Sequence, residues 1–146
     1  MDNCIFCRIA RGDIPSATVY EDGDFRVILD MNQKMKGHML VIPKEHYENL
    51  FELPEDLAAK AMILSKRVAH AAKEALHPQG LNLLQNNGEV AGQSVMHFHV
   101  HICPRMAGDD TFPAWGEAAI SAEETEEIRE SIHKEVNDEA AENPAE

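Results

Sequence analysis

The stretch Gly92-Gln93-Ser94-Val95-Met96-His97-Phe98-His99-Val100-His101-Ile102-Cys103-Pro104 decides how this chain reads. Three of its eight histidines stand there at alternate positions. A strand from Val95 to Cys103, stopped by Pro104, turns successive side chains to opposite faces. The three imidazoles then share one face, about 6.5–7 Å apart, while Phe98, Val100 and Ile102 line the other. The apolar face packs on a core and the imidazole face lines a cleft. Three uses of such a row are open at this point. Histidines two apart can both ligate zinc, with further ligands from elsewhere. One neutral imidazole can attack as a nucleophile while its neighbours orient it, carry protons or hold oxyanions. Or the row is a hydrogen-bonded, wet sheet face. Gly92-Gln93-Ser94 before the strand and Asn86-Asn87-Gly88 shortly upstream favour an anion site. Glycine lets backbone approach a ligand, consecutive N–H groups form a nest, and Ser and Gln add neutral donors.

Working outward, residues 4–11 read as a short helical turn ended by Gly12, and Ile14-Pro15 moves the chain into an extended path. Ala17–Glu21 and Phe25–Asp30 read as strands joined by the hairpin signal Asp22-Gly23. His38–Ile42 is a third, wholly apolar strand stopped by Pro43. Short loops between these strands favour antiparallel pairing. Leu57, Ala61, Leu64, Val68, Ala71 and Ala75 recur at helical spacing and predict a helix over about 54–77, with Pro54, Glu55 and Asp56 at its start and Pro78 and Gly80 past its end. Leu81–Gln85 is a fourth strand and the histidine strand a fifth. Ser121 and Glu124 form a capping box for a last helix over about 122–139. The sum is a meander of strands with a few helices, an α+β domain.

The 146 residues fit one domain large enough to bury a core without disulfides. Hydrophobic residues at 44% and charged residues at 27% are ordinary globular usage, which excludes wholesale disorder. No apolar run approaches the length of a membrane-spanning helix. The Met1-Asp2-Asn3-Cys4 start lacks the basic and apolar regions of a secretory signal, so the expected location is the cytoplasm. The net charge is −13. Residues 117–146 hold 11 acidic and 2 basic residues, whereas residues 1–116 hold 15 and 11. The expected division is therefore a body over 1–116 and an acidic helix and tail over 117–146. Such a charge excludes nucleic-acid polymers and anionic lipid as partners, though a small phosphate compound can still find local donors. Cys4 and Cys7 form a C-x-x-C pair, which in a reducing compartment points to metal or redox chemistry. Cys103 reads as a small buried hydrophobe.

The run from Gly92 to Cys103 resembles the histidine triad (HIT) signature, in which apolar residues alternate with the three histidines; Cys103 stands at the last apolar position. The resemblance extends to Cys4-Ile5-Phe6-Cys7, Ile14-Pro15, Tyr20-Glu21-Asp22, Leu29-Asp30 and Gly37-His38-Met39-Leu40-Val41-Ile42-Pro43-Lys44-Glu45-His46, as in bacterial Hint-like members. It covers about residues 2–105. It implies a nucleotide-binding α+β fold, an antiparallel five-stranded sheet with two main helices whose sheets join across a homodimer, and attack at the α-phosphorus of a purine nucleotide. His99 is the implied nucleophile, forming a covalent nucleotidyl-imidazole that water hydrolyses. His101 is implied at the phosphoryl oxygens and leaving group, with His38 in the same network. Asp30 would accept from the ribose hydroxyls and Asn86 would support the site. Gly92, Gln93 and Ser94 would hold the phosphate. Ile5, Phe6 and Ile28 would form an apolar slot for the base. The chemistry needs no catalytic metal.

The same resemblance implies a structural zinc held by Cys4, Cys7, His46 and His97, which keeps His97 out of the chemistry. The Hint-like branch favours phosphoramidates as substrates; dinucleoside polyphosphate hydrolysis, and a regulatory nucleotide-binding role with weak turnover, are the alternatives. Trp115 is a candidate for packing at the dimer partner or the substrate cleft. His70, His77 and His133 receive no role.

Overall fold

The structure is a computed structural model that describes residues 3–109 and 117–142. The chain divides into two compact units, Met1–Thr111 and Phe112–Glu146. The expected boundary at 116/117 borders residues 110–116, which with Trp115 lie outside the described residues.

The first unit runs α1 (Ile5–Arg11), β1 (Thr18–Glu21), β2 (Phe25–Leu29), β3 (Met39–Pro43), α2 (Glu55–Leu76), β4 (Gly80–Leu84) and β5 (Val100–Arg105), with a 3-10 turn at Glu89–Ala91. The five strands form one sheet in the order β1-β2-β3-β5-β4, every pair antiparallel. The β1–β2 turn is built on Asp22, whose Oδ1 accepts the N–H groups of Asp24 and Phe25, both at 2.8 Å. Helix α1 starts on Cys4, whose Sγ accepts the Cys7 N–H at 3.4 Å, and stops on Gly12 at φ 86°, a conformation glycine takes without a Cβ penalty. Helix α2 ends on His77, in the left-handed region at φ 51°, because Pro78 disfavours helical backbone in the residue before it.

The period-two alternation of the strands divides the sheet into two faces. Phe25, Val27, Met39, Val41, Val100 and Ile102 pack with Leu64, Val68 and Ala72 of α2 in the larger core. Ile28, Leu40 and Ile42 face the other way and pack with Phe6 and Ile9 of α1. Because α1 has only seven residues, it covers part of this second face. Asp30, His38 and His101 continue the same parity on β2, β3 and β5.

The strands lie within a residue or two of the expected bounds except at the start of β5. Strand β5 begins at Val100, five residues later than expected, and β3 pairs with it only from Val41↔Val100 to Met39↔Ile102. The Phe98 N–H donates instead to the Tyr47 carbonyl at 2.7 Å, which takes the chain out of the ladder. The alternation of side chains survives: Phe98 stays in the α2-side core, while His97 and His99 meet Phe6 of α1. Both prolines lie inside their strands, Pro43 as the last residue of β3 and Pro104 one residue before the end of β5. The Arg105 carbonyl bonds toward β4, so the missing N–H of Pro104 faces the side that β3 has already left. Pro43 pairs with Phe25 at the end of β3 in the same way, beyond the part of β3 that pairs with β5.

The second unit contains α3 (Ala122–Glu142), longer than expected at its C-terminal end. Ser121 caps it: its Oγ accepts the Glu124 N–H at 3.1 Å and donates to the Glu124 carboxylate at 3.2 Å. Among the described residues no helix is long and apolar enough to cross a membrane.

Candidate active site

Two clusters grow from the triad strand. The first gathers Cys4, Cys7, His46 and His97. His97 Nδ1 lies 3.4 Å from Cys4 Sγ, 3.5 Å from Cys7 Sγ and 3.2 Å from His46 Nδ1, and Cys7 Sγ lies 3.4 Å from His46 Nδ1. Tetrahedral zinc with Zn–S near 2.3 Å and Zn–N near 2.05 Å sets sulfur and nitrogen roughly 3.6 Å apart and two nitrogens roughly 3.4 Å apart. The four side chains match that spacing and could hold such an ion. His97 Nε2–H donates to the Pro43 carbonyl at 2.9 Å, so its Nδ1 lone pair is the one turned to the thiols. Burial pulls the His97 pKa down to about 4, which keeps the ring neutral, as a ligand must be. Burial likewise raises the Cys7 thiol.

The second cluster contains His99, His101, His38 and Asp30. His99 is buried, and its Nδ1–H donates to the His97 carbonyl at 2.7 Å. That bond fixes the tautomer and leaves the Nε2 lone pair without a proton. Phe6 meets the His99 ring edge-on, with centroids 4.9 Å apart, and fixes its plane. Burial lowers the His99 pKa against the opposing pull of its carbonyl bond, so the ring is neutral at pH 7. The His101 ring stands 4.8 Å from His99, centroid to centroid. The Lys34 N–H faces His38 Nδ1 at 3.3 Å, so His38 carries its proton on Nε2 and donates to His101 Nδ1 at 2.9 Å. His101 in turn carries its proton on Nε2, where it is a donor. Burial, with the neighbouring His99 and His38, pulls His101 down to about 4, and burial lowers His38 also. Asp30 Oδ2 stands 3.7 Å from His38 Nδ1, and Asp30 Oδ1 accepts the Asn32 N–H at 2.8 Å.

The loop before the triad departs from its expected role. The Gly92 N–H donates to the Glu89 carbonyl at 2.9 Å and the Gln93 N–H to the Gly88 carbonyl at 3.0 Å, so these two amides close the 3-10 turn and form no open nest. Gln93 is 2% exposed. Its Nε2 donates to the Glu48 and Val95 carbonyls at 2.6 and 3.0 Å, and its Oε1 accepts the Gly88 N–H at 2.8 Å. The carboxamide therefore has no donor left for a phosphate; it ties the loop to the segment that carries His46. Asn86 Nδ2 donates to the Gly92 carbonyl at 3.3 Å. Gly92 sits at φ 96°, and a Cβ there would stand 3.3 Å from that same Asn86 nitrogen. Ser94 is exposed and lines a surface cavity of about 490 Å3 with Cys4, His46 and Glu48. Burial raises the Cys103 thiol to about 11, in keeping with an inert core residue.

The HIT domain model matches residues 11–108. The chain belongs to the HIT family. A protein named hit from Bacillus subtilis is 48% identical over 136 residues, covering 91% of this chain and 94% of that protein. A crystal structure of a HIT family member from Bacillus subtilis superposes with a TM-score of 0.85 at 48% identity, covering 90% of this chain and 96% of that one. A Schizosaccharomyces pombe protein named adenosine 5'-monophosphoramidase is 38% identical over 92% of this chain and 98% of that protein. A structure described as a Zn-bound histidine triad family protein from Mycobacterium smegmatis is 35% identical, with a TM-score of 0.72, over 93% of this chain and 97% of that one.

The groups that orient this HIT site include several that pattern reading misses. The carbonyls of Pro43 and His97 and the N–H of Lys34 are backbone atoms, which leave no mark in side-chain identity. Phe6, read as part of a base slot, is also the ring wall of His97 and His99.

Proposed function

We propose that this HIT protein is a nucleotide hydrolase that cleaves nucleoside phosphoramidates, or related nucleoside monophosphate esters, at the α-phosphorus. The name of the Schizosaccharomyces pombe relative supports the substrate class. One observation carries the mechanism: the His99 Nδ1–H is committed to the His97 carbonyl at 2.7 Å, so a neutral ring presents a free Nε2 lone pair. Nε2 attacks the α-phosphorus and the P–N bond breaks. The His101 Nε2–H stands ready to donate to the leaving nitrogen or a phosphoryl oxygen, with the Lys34–His38–His101 chain holding its tautomer. Water then attacks the nucleotidyl-His99 phosphorus, releasing the monophosphate and restoring the imidazole. Asp30 accepts from the ribose hydroxyls, Ser94 and the polypeptide at Gly92 face the phosphate, and Asn86 supports them. Gln93 acts by shaping the loop. Ile5, Phe6 and Ile28 take a purine base.

Cys4, Cys7, His46 and His97 hold a structural zinc, which pins the start of α1 to the triad segment. Residues 1–116 carry the chemistry, in the cytoplasm, where the thiols stay reduced. The active form is a homodimer. Strand β4 is a sheet edge, and Leu50, Met62 and Leu83, all exposed, rim one apolar cavity of about 270 Å3 beside it.

The test is turnover of adenosine 5'-phosphoramidate by the protein and by His99→Ala, with AMP affinity measured on both. The expected result is loss of at least about a thousandfold in turnover, with AMP affinity changed by less than about fivefold. Turnover that survives in His99→Ala overturns the mechanism. Absence of turnover in both, with AMP still bound, favours the regulatory reading.

A further inference from the structure

The second cluster also holds a set of side chains that can ligate a metal ion. One ligand atom from each of Asp30, His38 and His101 lies within 4.8 Å of the others. Asp30 directly follows β2, His38 directly precedes β3 and His101 is the second residue of β5, and these three strands are neighbours in the sheet. We propose that Asp30, His38 and His101 form a second, reversible site for a divalent transition-metal ion, and that the ion and the nucleotide exclude one another. The second clause rests on the functional reading above, in which the same side chains serve the substrate.

Two imidazoles and one carboxylate suit zinc, copper or nickel and not the hard cations calcium and magnesium. Asp30 Oδ2 and His38 Nδ1 are 3.7 Å apart. Ligands about 2.1 Å from one tetrahedral ion stand roughly 3.4 Å apart, so this pair already brackets a gap of ionic size. Neither atom is strongly engaged. Asp30 bonds the Asn32 N–H through its other oxygen, and no described group donates to Oδ2. His38 Nδ1 receives one long bond, 3.3 Å, from the Lys34 N–H. Asp30 and His101 are half-buried, which gives an ion access from solvent, while His38 is buried and fixed.

This site differs in kind from the first. The Cys4–Cys7–His46–His97 cluster offers four protein ligands, two of them sulfur, which would close around an ion. Three nitrogen and oxygen ligands leave an open coordination position and bind more weakly. An ion held there takes the carboxylate that would meet the ribose, and it breaks the His38–His101 hydrogen bond that sets the His101 proton. Occupation therefore blocks nucleotide binding and catalysis together, and leaves the zinc fold intact.

The experiment is a calorimetric titration of untagged full-length protein, carrying one zinc per chain, with Zn2+. One further equivalent is expected. It should weaken at least tenfold in Asp30→Asn and in His38→Asn, and vanish in saturating AMP. It should stay within twofold in His133→Ala, which removes a surface histidine of α3. It should also stay within twofold in His99→Ala, since His99 supplies no ligand. That last variant separates the two readings: if His99→Ala still turns over substrate but Asp30→Asn loses the second ion, the metal site stands and the mechanism falls. No second equivalent, or one that survives both Asp30→Asn and His38→Asn, overturns the site. A second equivalent that AMP leaves in place overturns the exclusion.

Discussion

Gln93 separates two accounts of the loop before the triad, because a phosphate-holding carboxamide and a loop clasp fail differently. In Gln93→Ala three backbone groups lose their partner: the carbonyls of Glu48 and Val95 and the N–H of Gly88. A net contribution of about 1 kcal/mol per hydrogen bond gives a loss of about 3 kcal/mol, with the three groups next to solvent-facing residues and thus open to partial rehydration. For a body of this size, about 3 kcal/mol lowers Tm by roughly 10–20 °C. Gln93→Glu keeps the shape but sets a carboxylate against carbonyl oxygens now 2.6 and 3.0 Å away, and should fall at least as far. The assay is thermal unfolding of the zinc-loaded protein by circular dichroism, with KM and kcat measured well below the transition. If Gln93→Ala stays within about 3 °C of the parent while KM rises about tenfold, the carboxamide meets substrate and the clasp is refuted.

Gly37→Ala should cost about 1–2 kcal/mol, read by denaturant unfolding: the backbone sits at φ 86°, and a Cβ there would displace the tip of Leu76 and stand 3.3 Å from Pro104 Cγ. An unchanged midpoint would mean that the helix end gives way freely. Stripping zinc should lower Tm by roughly 10 °C or more, since an ion held at a hundred times its Kd stabilises by about 2.7 kcal/mol; differential scanning calorimetry with and without chelator checks this. His101 adds a pH dependence. Its folded pKa, about 4, lies below the ordinary imidazole value of 6.5, so the unfolded chain binds more protons between them. Stability should therefore rise from pH 4 to 6.5 through this group and level off above, and His101→Asn should flatten that rise in Tm against pH.

Much of the site is legible in residue types and parity. The alternation of His97, His99 and His101 with Phe98, Val100 and Ile102 puts the apolar set into the α2-side core, and it does so even where the regular strand has not begun. The hairpin at Asp22, the capping box at Ser121 and the helix over Glu55–Leu76 follow from local chemistry that the neighbours do not override. The spacing of the cysteines and histidines, read with the family resemblance, also assembles the Cys4–Cys7–His46–His97 group that the fold brings together.

What the linear pattern leaves open is decided by backbone atoms distant in the chain. The Pro43 carbonyl selects which nitrogen of His97 faces the thiols, and the Lys34 N–H selects where His38 and His101 carry their protons. Sequence alone likewise leaves Gln93 free to hold a phosphate; only folding brings the Glu48 carbonyl to its Nε2 and closes the loop on itself. Side-chain identity determines which groups are available at each position. Every residue but proline carries the same backbone donor and acceptor, so which of them meets a ring nitrogen is settled only by the tertiary path.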